Sequence, residues 1–356
     1  MARTVRIGII GSGGIAGAHA RSYKQLPDVE IVAVADVIPG KAEEFVRRFE
    51  LGGAKAFEDH RDLLALDLDG VSVCTPNVAH HRTSVDALNA GKHVLTEKPM
   101  AVTLEQAVEM ARAAKKAGRI LTVGFQPRYD PNMQMVTGIV QSGELGKVYY
   151  VETGGGRRRG IPGGTFVRKD LAGAGAMADI GCYSLDMALN ALGYPKPLTV
   201  SAYTGNLLGT SPKYFRDAAH FEVEDFGVAL IRLEGDVVLN FKISWAMHMD
   251  TLGATMFLGT DAGLKVTSPG GVWDGGVASI TLYRDLFGQQ TDTNIPVRRH
   301  DVNNFLEKVK DFVVAIREGR PAPIPGEVIV RNQAIIDGVL RSAEQHREVA
   351  IEIPEI

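Results

Sequence analysis

The chain has 356 residues, of which 45% are hydrophobic and 23% charged, and carries a net charge of −3. That length suits two domains with separate cores rather than one. The slight negative charge removes the basic surplus on which nucleic-acid binding depends, and no apolar run reaches membrane-spanning length.

The first third of the chain alternates strand and helix signals. Val5–Ile10 is a short β-branched run, followed by the glycine-rich residues 11–17 and a helical pattern to about Leu26, with Ala16, Ala20 and Tyr23 on one face. Residues 30–35 read as a second strand. Residues 41–49 read as a helix, with Ala42, Phe45 and Phe49 sharing a face. A strand over 70–74, a helix over 79–90 stopped by Gly91 and a strand over 93–95 follow. Thr103 then opens a helix with Gln106 three residues later, a capping-box spacing, and 120–125 is the last strand of this run. Strands separated by helices predict right-handed crossovers and a parallel sheet.

Beyond Gln126 the pattern changes. Helices are predicted over Pro131–Gln141, 178–192, 303–318 and 328–345. Between them lie strand-like runs at 147–152, 199–203, Phe226–Leu233, 237–245, 255–258 and 279–283. Glu234-Gly235-Asp236 supplies a hairpin turn between two of these runs. Strands without intervening helices predict an antiparallel sheet. The expected organisation is an α/β nucleotide-binding domain over 1–125 and an α+β domain over 126–356, whose C-terminal helix is free to pack back on the first.

Gly11-Ser12-Gly13-Gly14-Ile15-Ala16 has the form G-x-G-x-x-A, placed after a strand and at the start of a helix. The first glycine permits the tight turn, the second lets a pyrophosphate approach the backbone, and Ala16 keeps helix and strand close. The helix N-terminus offers free N–H groups to the phosphates. Asp36 ends the second strand, twenty residues after Ala16. A carboxylate there accepts hydrogen bonds from ribose hydroxyls and repels a 2′-phosphate, and Val37, Ile38 and Pro39 bring no arginine to hold one. The pattern predicts NAD in preference to NADP. Cys74 and Cys182 are too few for a disulfide framework. The first residues run directly into a strand, with neither an apolar leader core nor a twin-arginine signal, so the expected location is the cytoplasm. His19, His60, His80 and His93 have no metal-ligand spacing, and no metal is expected.

Three further motifs carry a resemblance. Cys74-Thr75-Pro76-Asn77 closes a strand, with His80 following. Ala90-Gly91-Lys92-His93-Val94-Leu95-Thr96-Glu97-Lys98-Pro99 comes next, and Gly173-Ala174-Gly175-Ala176-Met177-Ala178-Asp179-Ile180-Gly181-Cys182-Tyr183 later. Together these resemble the Gfo/Idh/MocA family, named for glucose–fructose oxidoreductase, inositol dehydrogenase and a rhizopine-catabolism protein, over nearly the whole chain. The resemblance implies a Rossmann domain, a second domain with a large, open, mostly antiparallel sheet, and a homodimer or homotetramer formed through that sheet. It implies a sugar or polyol substrate. By matching motif it makes Lys98 the catalytic lysine and places Asp179 and Tyr183 in the two polar positions of the last motif. Many members have histidine where Tyr183 stands; the tyrosine version resembles the glucose–fructose oxidoreductase and dihydrodiol dehydrogenase branch. Thr75, Pro76, Asn77, His80, Glu97 and Lys98 join the glycine loop and Asp36 as cofactor-binding candidates, and Gln126 is added because it follows the last strand, where a ligand crevice opens.

The chemistry can also be reasoned from the side chains. Oxidising an alcohol requires a hydride acceptor and a base. Asp179, Tyr183 and Asp186 are spaced i, i+4 and i+7 and would share a helix face. A free tyrosine has a pKa near 10, and a neighbouring ammonium favours its phenolate. This predicts Tyr183 as acid/base, Lys98 as electrostatic partner and substrate clamp, and Asp179 as orienter. Asp179 also suits a helix N-cap, and Asp186 reads as structural. Arg157-Arg158-Arg159 either meets a polar substrate or forms a solvated turn, and Trp245 reads as sheet core. The competing functions are an NAD-using glycosidase with transient sugar oxidation, a non-catalytic sugar or dinucleotide sensor, and an aldose–aldose oxidoreductase with bound cofactor.

Overall fold

The computed structural model describes residues 3–268 and 277–356. It divides into two compact units, one built from residues 1–126, 303–330 and 354–356, the other from 127–302 and 331–353. In the first unit β1 (Val5–Ile10), α1 (Gly14–Tyr23), β2 (Val29–Ala35), α2 (Lys41–Arg48), β3 (Lys55–Phe57), α3 (His60–Leu64), β4 (Gly70–Val73), α4 (Asn77–Asn89), β5 (His93–Thr96), α5 (Leu104–Ala117) and β6 (Leu121–Val123) alternate, all but β3 and α3 as the periodicity predicts. The six strands are all parallel, in the order β3-β2-β1-β4-β5-β6. Strand order reverses between β1 and β4, the place where doubly wound sheets open a crevice beyond the carboxyl ends of their strands. Ile7, Ile9, Val34 and Leu95 form the buried interior. β3 and α3 were not predicted; three and five residues are too few to show a period. Thr103 does cap α5, accepting from the Gln106 N–H at 3.3 Å, but the Gln106 side chain reaches the N–H of Val102 rather than that of Thr103.

The second unit contains α6 (Pro131–Gln141), β7 (Val148–Gly156), α7 (Lys169–Ala172), α8 (Ala176–Asp179), α9 (Gly181–Ala191), β8 (Pro197–Gly205), β9 (Phe226–Leu233), β10 (Val237–Ser244), β11 (Thr255–Gly259), β12 (Ala262–Thr267), β13 (Ser279–Leu286) and β14 (Gln289–Ile295). Helix α10 (Asn304–Glu318) belongs to the first unit, α11 (Gly326–Gln345) has residues in both, and the short strand β15 (Val349–Ala350) follows it. The nine-stranded sheet runs β14-β13-β12-β11-β7-β10-β9-β8-β15 and is antiparallel except between β7 and β10. Leu233 pairs with Val237 across the predicted turn, where Gly235 and Asp236 both take positive φ. Along β9 and β10 the residues alternate: Ala229, Ile231, Leu239 and Phe241 are buried, whereas Leu230 and Asn240 lie on the other face.

Candidate active site

The dinucleotide candidates lie at the β1/β4 switch point. Gly11 takes φ +93°, and a Cβ there would stand 2.5 Å from the Cys74 carbonyl oxygen, so both conformation and space require glycine. A Cβ on Gly13 or Gly14 would meet nothing within 4 Å; this stretch of backbone faces open space. Gly13 precedes α1 with no side chain capping the first turn, whose N–H groups therefore point outward unsatisfied by the helix. The close packing expected at Ala16 extends to Gly17, where a Cβ would fall 2.7 Å from the Phe49 ring.

Asp36 is held in place by the same loop. One carboxylate oxygen accepts from the Ser12 N–H at 3.0 Å and hydroxyl at 2.6 Å; the other accepts from the Ile38 N–H at 3.0 Å. Gly11, Asp36, Thr75 and Pro76 share the wall of a cavity of about 460 Å³, together with Val37 and residues of the turn before α3. The Thr75 hydroxyl oxygen is buried without a hydrogen-bond partner. Arg61 and Arg82 also border this cavity, but Arg61 Nε is held by both oxygens of Asp59, at 3.0 and 2.9 Å. An anion-seeking helix terminus, a free hydroxyl and an anchored carboxylate suit a dinucleotide: phosphate at Gly13 and Gly14, ribose at Asp36.

His80 and Glu97, read from the sequence as cofactor contacts, turn inward instead. His80 is buried, with Nδ1 2.7 Å from the Pro99 carbonyl and Nε2 3.0 Å from the Thr75 carbonyl, so the ring ties the end of β4 to the segment just after Lys98. Burial pushes its pKa down, and the two carbonyls only partly offset this. Glu97 is buried at the end of β5, bonded to His19 at 2.8 Å and to Lys308. Burial raises its carboxyl pKa, and the Lys308 ammonium and His19 more than reverse that, holding it below the usual carboxylate range. The backbone at Glu97 and Lys98 continues directly from β5, with the Glu97 N–H on the Val73 carbonyl at 3.0 Å. Asn77 opens α4, and Gln126 opens a short 3₁₀ turn after β6.

In the second unit the predicted continuous helix carrying Asp179, Tyr183 and Asp186 is broken. It divides at Ile180 into α8 and α9, so Asp179 ends one helix and Tyr183 lies in the first turn of the next. Glycines on either side account for this. A Cβ on Gly175 would stand 2.0 Å from the Glu224 carbonyl, and one on Gly181 would stand 2.8 Å from the Phe241 ring, so both ends of α8 are pressed against the sheet. Buried Glu224 accepts the N–H groups of Gly175 and Met177 at 2.8 and 3.0 Å and so caps the start of α8. Asp179 instead accepts a hydrogen bond at 3.0 Å from the indole N–H of fully buried Trp245. Trp245 is sheet core, as expected, but it also orients this carboxylate. Tyr183 is 6% exposed, and α9 is braced around it by Asn332, which donates to the Cys182 carbonyl at 2.9 Å. Asp186 is structural: it takes a bidentate pair from Arg128, at 2.8 and 2.6 Å, and a hydrogen bond from Tyr194. Arg159 stacks over Tyr214 at 4.8 Å and reaches His248, so the arginine run partly engages its own loops.

Comparison with known proteins agrees with this architecture. A family profile described as an oxidoreductase family with an NAD-binding Rossmann fold matches residues 5–125, and the GFO/IDH/MocA C-terminal domain profile matches residues 133–265. The chain is 36% identical over 272 residues to the D-glucoside 3-dehydrogenase of Escherichia coli (strain K12), covering 71% of this chain and 77% of that protein. It is 26% identical over 355 residues to the myo-inositol 2-dehydrogenase of Thermotoga maritima, covering 98% and 99%. Its fold matches that of a levoglucosan dehydrogenase solved with NADH, with a TM-score of 0.84 and 21% identity over 99% of this chain and 100% of the other.

Proposed function

The chain belongs to the GFO/IDH/MocA oxidoreductase family, and we propose that within it this protein is an NAD-dependent dehydrogenase acting on a CH–OH group of a sugar, inositol or related polyol. The observation that supports this most strongly is the β1/β4 crevice, where an uncapped α1 terminus, the buried Thr75 hydroxyl and the Ser12-anchored Asp36 border one cavity. The relatives named for glucosides and inositol supply the substrate class.

Bound nicotinamide supplies the hydride acceptor. The chain's own residues supply the rest. Tyr183 takes the hydroxyl proton on oxidation and returns it on reduction. Lys98, following β5, is its electrostatic partner and clamps the substrate; an ammonium favours the phenolate of a group that otherwise ionises near 10. Asp179, oriented by Trp245, aligns the reacting group. NAD is preferred to NADP because a 2′-phosphate would meet the Asp36 carboxylate.

The test is nicotinamide absorbance with NAD or NADP against glucosides, free sugars, anhydrosugars and inositols. A substrate-dependent rise with NAD, lost in Lys98→Ala, is the expected result. Tyr183→Phe should lower turnover by about 10²–10⁴-fold, the range for removal of a general acid/base; near-normal turnover would transfer the proton to another group. Hydrolysis of a nitrophenyl glycoside without net NADH would establish the glycosidase reaction instead.

A further inference from the structure

We propose that Lys308, on α10, is a positioning residue for Lys98, acting through Glu97. The inference rests on Lys98 having the catalytic part given above. Lys308 is 211 positions from Glu97 and is 2% exposed, yet its ammonium bonds the Glu97 carboxylate. The bonds around that carboxylate have one consistent direction. Glu97 only accepts, so His19 donates through Nε2, at 2.8 Å. His19 Nδ1 is then an acceptor and takes the Ser72 hydroxyl at 2.9 Å, and Ser72 takes the Tyr23 hydroxyl at 2.8 Å. Burial, with the Lys308 charge beside it, lowers the His19 pKa, which favours the neutral ring. The buried charges therefore balance as one carboxylate and one ammonium.

This chain of bonds joins three elements of the candidate site. His19 and Tyr23 lie on α1, whose N-terminus faces the phosphate position; Ser72 lies on β4; Glu97 immediately precedes Lys98. Helix α10 packs on α1, β1 and β5. The cluster leaves no slack at Gly124, where a Cβ would stand 2.7 Å from Glu97 Oε1. A buried ion pair is a poor stabiliser, since apolar groups of similar volume often do as well or better. What directional bonds add is a fixed place for the backbone that leads into Lys98, set relative to the helix that receives the cofactor.

The experiment compares Lys98→Ala, Lys308→Met and the double variant Lys308→Met/Glu97→Leu with the parent enzyme, reading thermal melting, kcat and the KM for NAD. Lys308→Met leaves a buried carboxylate unpaired and is expected to lose both stability and turnover. The double variant restores an uncharged interior. It is expected to recover its melting temperature while kcat stays about 10–10²-fold low, the cost of a small misplacement of a reacting group, with the KM for NAD within about threefold of the parent. A double variant with parental kcat overturns the proposal, because the pair would then be structural only. Failure of both Lys308 variants to fold also overturns it, because the pair would then be a requirement of folding. Full turnover in Lys98→Ala overturns the catalytic reading of Lys98 itself, whatever the Lys308 variants do.

Discussion

At Asp36, three short contacts from Ser12 and Ile38 hold the carboxylate in one orientation, so its remaining lone pairs point in a defined direction. The proposed preference for NAD therefore rests on this one side chain. Asp36→Ser is expected to raise the KM for NAD about tenfold, in line with the ~1.5 kcal/mol of a hydrogen bond to a charged group, and to admit NADP, as parallel initial-rate measurements with the two cofactors would show. Unchanged discrimination would place cofactor choice on Arg61 or Arg82 instead. The same orienting principle operates at Asp179, where the indole of Trp245 does what Ser12 does for Asp36. Asp36 was legible in the sequence because strand, turn and acid are neighbours. Trp245 was not, since it reaches Asp179 only after β10 has been laid against α8.

At the scale of elements, one ion pair and a tyrosine hydrogen bond tie down α9. Arg128, in the 3₁₀ turn after β6, clasps Asp186 from one side, and Tyr194 closes the other. Asp186 is fully buried, so Arg128→Met would strand its charge. The expected loss is about 3–5 kcal/mol in denaturant unfolding, and a loss below ~1 kcal/mol would show that water reaches Asp186 once Arg128 is gone. Strand β5 carries a pH dependence of its own. His93 Nδ1 accepts the Ile120 N–H at 3.0 Å, and burial, followed by Arg119, lowers its pKa from 6.5 to about 4. The unfolded chain then binds the proton more readily, so this contribution is complete above about pH 6.5 and is lost as pH falls towards 4. Thermal melting should fall across that interval, and His93→Asn, which keeps an acceptor and cannot take the proton, should flatten the fall. An equal fall in the variant would assign the effect to His19 and His80, whose pKa values are also lowered by burial.

At the scale of the whole molecule, the nine-stranded sheet has a face that its own unit leaves partly bare. Strand register puts Tyr150, Val238, Leu258 and Tyr283 in one row, with Leu230 on the same face. Leu230, Leu258 and Tyr283 are 45%, 37% and 39% exposed. Apolar surface of this kind is ordinarily covered by a partner, and we propose a homodimer or homotetramer formed through this face. Light scattering after size exclusion should give a multiple of 38.3 kDa, reduced by Leu230→Glu; a monomer at micromolar concentration would remove the proposal. Among the described residues no helix is long and apolar enough to cross a membrane.

What could be read from the chain alone was whatever depends on near neighbours. The hydrophobic period fixed α1, α4, α5, α6 and the parallel strands between them. The spacing from Gly11 to Ala16 and on to Asp36 located the crevice, and the motifs around Lys98 and Tyr183 identified the family. Elements with no period were missed: β3 and α3 are too short, and β14 (Gln-Gln-Thr-Asp-Thr-Asn-Ile) has almost no apolar residue to alternate. Tertiary structure decided the break at Ile180, because Gly175 and Gly181 only permit the close approach; what approaches them, Glu224 and Phe241, lies far along the chain. It alone turned His80 and Glu97 inward and brought Lys308 to Glu97. Burial is a property of the packed interior, and the partner of a buried charge is set by which elements share that interior, which sequence spacing does not encode.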